Sequence, residues 1–447
     1  MDLRTLLATV RALLCAEGET TGVAANGVRN ALWLAMERFI RFGCQLAGHV
    51  IVARSLGLEG FGRYQLVLTG VLFLVPLVDG GLDALTPREV ARPGGDPAGN
   101  AGRLFRLRLL LGLFGGLLLF LGLWGAWGGS GASVVALIAA AAILPGRALE
   151  VLEPLAQVTG RVVPYAIMRG GAAAFGLAAK GFAAMAHAGL DTFLVILSVE
   201  SVGGLLVWWL IARRSGVSAR LGTETVQGCA PSLLREGFPL ALSGFLAVAY
   251  TRLDHLIIGW FAGAESVGIY GAAVQLLAAW GLVPMVLYAA ATPVLTPLRA
   301  SPSRLRAAMV SLYRFAFVSG VLASVLSMAV AGPLLREVYG GDFADGVAPM
   351  RILSLGLVFS FVGVVRTIQI VIEGLSVQHL YAGVIATCLN VFLSVWLVPI
   401  LGLAGAAWST VAAGAMAAVG AVFLLPGLRV CRETMLETVA LRKGGLG

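Results

Sequence analysis

The chain alternates long runs of apolar residues with short polar stretches. The segments 109–146, 266–298 and 374–428 contain no Asp, Glu, Lys or Arg, and a helix needs about 20 largely apolar residues to cross a bilayer. The pattern predicts twelve spanning helices, at 31–56, 61–85, 105–127, 133–158, 163–186, 191–212, 236–262, 266–298, 310–335, 347–372, 378–399 and 402–426. We therefore expect an all-α, polytopic membrane protein.

The two halves of the sequence repeat each other. His49, Ile51, Gly57, Glu59, Gly62 and Tyr64 recur 206 positions later as His255, Ile257, Gly263, Glu265, Gly268 and Tyr270. An even number of predicted spans separates the copies, so both halves should enter the bilayer with the same orientation. Two six-helix bundles related by a parallel repeat are an arrangement that secondary transporters use.

The spans and the repeat divide the chain into five predicted regions. They are a cytoplasmic N-terminal segment (1–30), an N-lobe (31–212), a cytoplasmic linker (213–235), a C-lobe (236–426) and a cytoplasmic tail (427–447). Most Lys and Arg residues then face the cytoplasm, and the four on the other side are Arg54, Arg63, Arg336 and Arg351. This bias fits the positive-inside rule, and it places both termini in the cytoplasm.

Composition supports the membrane interpretation. Hydrophobic residues make up 59% of the chain and charged residues 12%, and the mean hydropathy is +0.91. The net charge of +9 comes from short loops between apolar runs, which indicates membrane topology and not nucleic-acid binding. All five cysteines fall in the cytoplasm or inside predicted helices, so we expect no disulfide framework.

No motif for catalysis or for a cofactor is visible. The two lysines, Lys180 and Lys443, are each followed by glycine, so the chain lacks the Lys-Ser or Lys-Thr that ends a phosphate-binding loop. The four histidines are scattered, and there is no His-Glu-x-x-His pair, Cys-x-x-Cys motif or Gly-x-Ser-x-Gly elbow. We expect neither a metal, nor a cofactor, nor an enzymatic activity.

The predicted spans do contain ionisable residues, which are costly at membrane depth unless they have a partner or a wet cavity. Arg147 and Glu150 share a face of the fourth helix, and Arg169 and Lys180 lie three turns apart on the fifth, with Gly176 leaving space between them. Cations outnumber the acids that local pairing would need, and Arg matches phosphate oxygens. We therefore expect a cationic cavity formed by Arg38, Arg41, Arg147, Arg169, Lys180, Arg252 and Arg366.

An alternative interpretation is that these residues form structural ion pairs, or that those near helix ends reach the headgroups. The acids and one histidine raise a second possibility, because a buried group that titrates can couple transport to an ion. Candidates are Glu150, Glu200, Asp254 and His255, with Glu200 interpreted as an isolated acid near the bilayer midplane. A hydrogen bond to a neighbouring helix would explain Glu200 equally well.

Three stretches resemble the bacterial polysaccharide biosynthesis flippases of the multidrug, oligosaccharidyl-lipid and polysaccharide exporter superfamily. They are RSLGLEGFGRY at 54–64 with LVDGGL at 77–82 and REVAR at 88–92; YTRLDHLIIG at 250–259 with SVGIY at 266–270; and LREVYGGDF at 335–343 with MRILSLG at 350–356. The three stretches follow one another in the order expected for that family, and together they cover most of both lobes.

The resemblance implies a function and a location. The expected function is translocation of a polyprenyl-pyrophosphate-linked oligosaccharide from the cytoplasmic to the outer leaflet of a bacterial inner membrane, powered by an ion gradient. The expected partners are this lipid-linked glycan, membrane lipids and a polysaccharide polymerase complex, and we expect a monomer. His255 departs from the resemblance, because many relatives carry Gln at this position, which weakens ion coupling there.

Three other functions would need different features. A drug or cation exporter of the same superfamily should have an acidic cavity, whereas this one is predicted to be basic. A membrane-embedded polysaccharide polymerase or ligase should present a large catalytic outer loop, whereas the longest predicted one is only Arg336 to Gly346. A structural scaffold would explain the duplication but not the buried charges.

Overall fold

A computed structural model describes residues 21–92, 96–127, 134–214 and 230–439, and every regular element in those ranges is a helix. In chain order the α-helices are α1 (Thr21–Asp79), α2 (Leu82–Val90), α3 (Pro97–Trp127), α4 (Val134–Gly146), α5 (Leu152–Val158), α6 (Val162–Met185), α7 (Leu190–Arg214), α8 (Ala230–Ala278), α9 (Leu282–Leu295), α10 (Pro302–Val338), α11 (Val347–Glu373), α12 (Ser376–Leu401), α13 (Leu403–Ala415), α14 (Ala421–Leu424) and α15 (Arg429–Val439). Short 3₁₀ segments join several of them, and the π-helical stretch Met416–Gly420 joins α13 to α14.

The two longest helices, α1 and α8, are each bent at a glycine. Gly57 has φ 68° and Gly263 has φ 80°, which is a backbone conformation that only glycine adopts without strain. The bends divide α1 into arms 21–56 and 58–79, and α8 into arms 230–262 and 264–278. Because the two glycines are repeat equivalents, the duplication in sequence is also a duplication of the bend.

The halves touch at the end that the charge bias places outside. A Cβ atom on Gly62 would lie 1.7 Å from the carbonyl oxygen of Ala264, and one on Gly268 would lie 2.4 Å from that of Leu58. Leu58 and Ala264 are themselves repeat equivalents, so the two contacts are related by an approximate twofold. Arg54 crosses the same end and donates to the carbonyl oxygen of Val338 at 2.8 Å.

The second arm of α1 then runs along the first arm of α8 to the other end. The rings of Phe73 and Phe245 meet with centroids 5.8 Å apart. Beyond them, a Cβ on Gly81 would lie 2.1 Å from the carbonyl oxygen of Gly237. One side of the molecule is therefore closed along its whole length by these two arms.

The described helices meet the requirements of a membrane protein. Eight of them are long enough and apolar enough to cross a bilayer, and two of these, in α1 and α8, contain a glycine bend that allows two spans each. Large apolar side chains such as Phe175 and Phe182 are 69% and 72% exposed, as is expected of a surface that faces lipid. The chain is a polytopic membrane protein, and the predicted all-α class is confirmed.

The predicted spans fall on helical stretches, and three of them, the fourth, the eighth and the twelfth, contain 3₁₀ or π-helical segments. The fourth span is built from α4, the 3₁₀ segment Arg147–Val151 and α5, and it contains Pro145 and Pro154, which cannot donate backbone hydrogen bonds. Most of the predicted linker, and residues 1–20 and 440–447, lie outside the described residues. The five region boundaries therefore stay predictions.

We expect Gly62→Ala to lower the melting temperature of the purified protein. The added methyl group would meet the backbone of Ala264, which cannot move without separating the two halves, and overpacking of this kind costs about 1–3 kcal/mol. A thermal-unfolding assay on detergent-solubilised protein measures the effect.

Gly122→Ala is the matched control, because a Cβ there meets nothing within 4 Å. This control should leave the melting temperature unchanged or raise it slightly. An equal response of the two variants would contradict the glycine contact.

Candidate functional site

Lys180 and Glu200 form a partly buried ion pair between α6 and α7, in which the Lys180 side chain is 8% exposed and that of Glu200 is 26% exposed. The Lys180 Nζ atom lies 2.8 Å from a Glu200 carboxylate oxygen. Glycines make room for both side chains, since a Cβ on Gly176 would lie 2.6 Å from the Glu200 carboxyl carbon and one on Gly48 would lie 3.2 Å from Lys180 Cδ. The interpretation of Glu200 as an isolated acid was therefore wrong, and Lys180 is not a free cation.

Arg147 lies in a network of acids near the predicted cytoplasmic end of the N-terminal half. Its guanidinium contacts Glu150, lies 3.2 Å from Asp79 and lies 3.9 Å from Asp83. An oxygen of Asp83 also lies 2.7 Å from a terminal nitrogen of Arg108, as an ion pair. The three acids bring oxygens within 4.8 Å of one another, a spacing that a metal ion could bridge, but Arg147 already contacts all three.

Arg147 and Glu150 thus neutralise each other. The expectation that Arg147 offers its charge to a substrate, and that Glu150 is available for ion coupling, does not agree with this geometry. The structural ion-pair alternative describes both residues better.

Arg38 and Arg41 are also paired. Arg38 donates to Glu153 at 2.8 Å, and Arg41 lies 3.2 Å from Glu37 in the adjacent turn of α1. Both arginine side chains are more than a third exposed, and ion pairs of that kind contribute little stability. The two can exchange partners readily, so they remain candidates for a first contact with an anion.

Three of the predicted cations have no carboxylate within ion-pair distance in the ranges that the structure describes: Arg169, Arg252 and Arg366. Arg169 lies on α6 and is partly buried, and its charge acts on Tyr165, one turn away. Arg252 lies on the first arm of α8, and its charge, like that of Lys180, acts on His49 of α1. Arg252 is thus close to residues of the other half.

Arg366 lies elsewhere. It lines a cavity within the C-terminal half, and every residue of that lining falls between Ser243 and Ala418. The expectation that Arg366 shares one space between the lobes with Arg147, Arg169, Lys180 and Arg252 is not met. Sequence periodicity correctly put Arg366 on a polar stripe of α11, but it could not show which neighbours that stripe faces.

Asp254 and His255 form the centre of a second buried polar cluster. One carboxylate oxygen of Asp254 lies 2.8 Å from His255 Nδ1, and the other accepts from the Tyr270 hydroxyl at 2.7 Å. Thr410 adds a longer contact of 3.4 Å to the same oxygen. The Nε2 atom of His255 is buried and has no hydrogen-bond partner within the described part of the chain, so a polar atom of the cluster is left unused there.

The sequence argument missed the partners in this cluster. The sequence pattern singled out Tyr270 only as the repeat equivalent of Tyr64, and no pattern singled out Thr410. His379 and Gln275 were missed as well; they lie beside Arg366 and His49, respectively. Each of these contacts joins residues that are far apart in sequence, which helical periodicity cannot detect.

Comparison with known proteins gives two sequence matches. Residues 28–301 match the family model described as "Polysaccharide biosynthesis protein". A stretch of 199 residues is 32% identical to the probable flippase AglR of Haloferax volcanii. That alignment covers 41% of this chain and 40% of AglR, so the likeness spans about two fifths of each protein.

Solved structures match over nearly the whole chain. An inward-facing multidrug resistance MATE family transporter of the MOP superfamily superposes with a TM-score of 0.68 at 18% identity, over 93% of this chain and 99% of the other. An outward-facing MATE family transporter of the same superfamily superposes with a TM-score of 0.60 at 18% identity, over 93% and 96%. The chain therefore has the MATE-like fold.

We expect Lys180→Met to destabilise the protein, because it leaves the partly buried Glu200 carboxylate without a partner. Breaking a fully buried pair costs about 3–5 kcal/mol, and the 26% exposure of the Glu200 side chain should keep the loss below that range. The double variant Lys180→Met with Glu200→Gln should recover part of the loss, since no uncompensated charge remains. Thermal unfolding of both single variants and of the double variant measures this, and additive effects would contradict a direct pair.

Proposed function

Because the chain belongs to the family of polysaccharide biosynthesis proteins, we propose that it is a flippase for a polyprenyl-pyrophosphate-linked oligosaccharide. It carries the lipid from the cytoplasmic to the outer leaflet by alternating access. The likeness to AglR supports a flippase, and the MATE-like fold supports alternating access between two helical bundles.

The observation that carries this proposal is that Arg252 and Arg169 have no carboxylate within ion-pair distance among the residues that the structure describes. An ionised diphosphate costs tens of kcal/mol to place in hydrocarbon, so the protein has to replace the water around it. An arginine whose charge is already neutralised by a neighbouring acid cannot replace that water effectively. Arg252 lies near the other half of the molecule, so it is the best placed to hold a diphosphate between the halves.

An apolar groove provides a path for the prenyl chain. It lies between Phe39 of α1 and residues 279–286 of the C-terminal half, and it has a volume of about 560 Å³. On this side Phe39 and Val286 are about half exposed, whereas the opposite side is closed by the second arm of α1 and the first arm of α8. The headgroup can enter between the halves here while the tail stays in lipid.

The same geometry suggests how access alternates. The glycine contacts of Gly62 and Gly268 close the outer end, where Phe61 also packs against Tyr339 and Phe343 with ring centroids 6.1 Å apart. At the inner end, Arg88 of α2 donates to both carboxylate oxygens of Glu236 of α8, at 2.6 and 2.9 Å. We propose that the outer contact opens and the groove beside Phe39 closes as the two halves rock.

Ion coupling is best assigned to Asp254. It is buried, and its carboxylate is already organised by His255 and Tyr270. Glu150 and Glu200 are each held by a cation and are weaker candidates. His255 contributes by orienting the Asp254 carboxylate.

The setting of this activity is part of the proposal. We place the protein in a bacterial cytoplasmic (inner) membrane, with both termini in the cytoplasm, as a monomer that delivers its cargo to a polysaccharide polymerase complex. The chemistry is transport alone, without a cofactor or a catalytic step. The positive-inside bias and the family membership support this setting.

We expect Arg252→Gln to slow flipping at least tenfold. A hydrogen bond to a charged group contributes about 1.5–3 kcal/mol, and about 1.4 kcal/mol corresponds to a factor of ten. The assay measures flipping of a fluorescent polyprenyl-diphosphate disaccharide in proteoliposomes. Arg252→Lys should retain part of the activity, because it keeps the charge.

The matched control for Arg252 is Arg63→Gln. Arg63 is exposed and pairs only with Glu59 in the adjacent turn, so this variant should flip at the wild-type rate. Wild-type flipping by Arg252→Gln would remove Arg252 from the mechanism.

We expect Asp254→Asn to abolish the acceleration of flipping by an applied proton or sodium gradient while leaving slow, gradient-independent flipping in place. The amide keeps the shape of the carboxylate, but it carries no negative charge to attract a cation and does not take up a proton at neutral pH. Asp342→Asn, at an exposed position, is the control and should respond to the gradient like the wild type. An undiminished gradient response in Asp254→Asn would assign coupling to another group.

A further inference from the structure

A separate cavity of about 480 Å³ lies inside the C-terminal half. It is enclosed by α8, α11 and α12 and by the chain from α13 into the π-helical stretch. Ala247, Ser360 and His379 are the exposed residues of its lining, so they mark its mouth. The volume is in the range of cavities that hold drug-sized molecules.

Arg366 is the only Arg or Lys residue among the residues that line this cavity. The residue is 4% exposed, and no carboxylate lies within ion-pair distance of it in the ranges that the structure describes. A buried cation without a partner is costly. The cavity therefore presents a charge that an anion would compensate.

The position of Arg366 is fixed by neutral partners. One terminal nitrogen donates to the carbonyl oxygen of Ala417, and the other lies 3.4 Å from His379 Nδ1. Ala417 lies within the π-helical stretch Met416–Gly420, where backbone carbonyls depart from the α-helical hydrogen-bond pattern. The buried Nε atom of Arg366 has no hydrogen-bond partner among the described residues, so the guanidinium is held in place without all of its donors being used.

The walls around this charge are mostly apolar and small. Phe359 and Leu380 provide bulk, and the Tyr250 hydroxyl adds a polar group on the α8 side. Gly383 keeps the space open, because a Cβ at that position would meet no atom within 4 Å. An apolar pocket with a few fixed polar groups is typical of a small-molecule site.

We propose that the C-terminal half contains a binding site for a small organic monoanion, a carboxylate or sulfonate carried on an apolar or aromatic body. Arg366 pairs with the anionic group, and the body of the ligand packs against Phe359 and Leu380. This site goes beyond the proposed flippase function, and neither depends on the other.

Two other anions fit the cavity less well. A diphosphate headgroup carries at least two negative charges, and a single guanidinium would leave one of them uncompensated among apolar walls. A halide ion is far smaller than the cavity and would leave most of the apolar surface without a contact. The site is also separate from the proposed diphosphate site, because Tyr250 and Arg252 point in different directions from α8.

The test is equilibrium binding of tritiated 1-naphthylacetate to the full chain in nanodiscs of neutral lipid. We expect saturable binding at one site, and at least tenfold weaker binding of the uncharged analogue 1-naphthylacetamide. Arg366→Gln should weaken binding of the anion at least tenfold. Gly383→Leu should abolish it, because the new side chain occupies the empty space while Arg366 is kept.

Arg63→Gln is the matched control and should bind the anion like the wild type. If Arg366→Gln does not fold, Gly383→Leu still tests the site. Gly383→Leu is expected to fold, because leucine favours helices and its side chain enters free space. Unchanged binding in Gly383→Leu would overturn the proposal. So would equal binding of the acid and the amide, or displacement of the acid by equimolar chloride or inorganic phosphate.

Discussion

A charge inside a membrane needs a partner, and the arrangement of this protein follows from how each buried cation meets that need. Lys180 takes Glu200, and Arg147 takes Glu150 and Asp79. These pairs tie helices of the N-terminal half together. Within the described ranges, Arg169, Arg252 and Arg366 have no carboxylate at ion-pair distance, and we propose that the first two bind a lipid diphosphate and that Arg366 binds a smaller anion.

Duplication explains why the two halves can meet and separate. Gly57 and Gly263 bend α1 and α8 at equivalent positions, and Gly62 and Gly268 let the backbones approach so closely that no side chain fits between them. Close backbone contacts of this kind depend on small residues, as is common between membrane helices. Side chains add to the same end, where Phe61 packs against Tyr339 and Phe343 and Arg54 donates to the carbonyl oxygen of Val338. The proposed opening would have to separate these contacts as well.

The sequence was sufficient to predict the fold. The apolar runs depend only on the local pattern of residues, and the repeat of His49 as His255 depends only on the similarity of the two halves. It was also sufficient to identify which residues are charged at membrane depth. It could not show which acid neutralises which base. Asp79 and Arg147 are 68 positions apart, and Lys180 and Glu200 lie on different helices, so their pairing depends on helix packing. For the same reason Arg366 was grouped with residues that lie in a different part of the molecule.

The central claim is that a lipid diphosphate is held by the arginines that lack a carboxylate, between the two halves. The most direct test is a cryo-electron microscopy structure of the protein with a polyprenyl-diphosphate disaccharide. The account predicts phosphate density in contact with Arg252, and a prenyl chain leaving past Phe39. Phosphate density against the cluster of Arg147, or inside the cavity of Arg366, would contradict it.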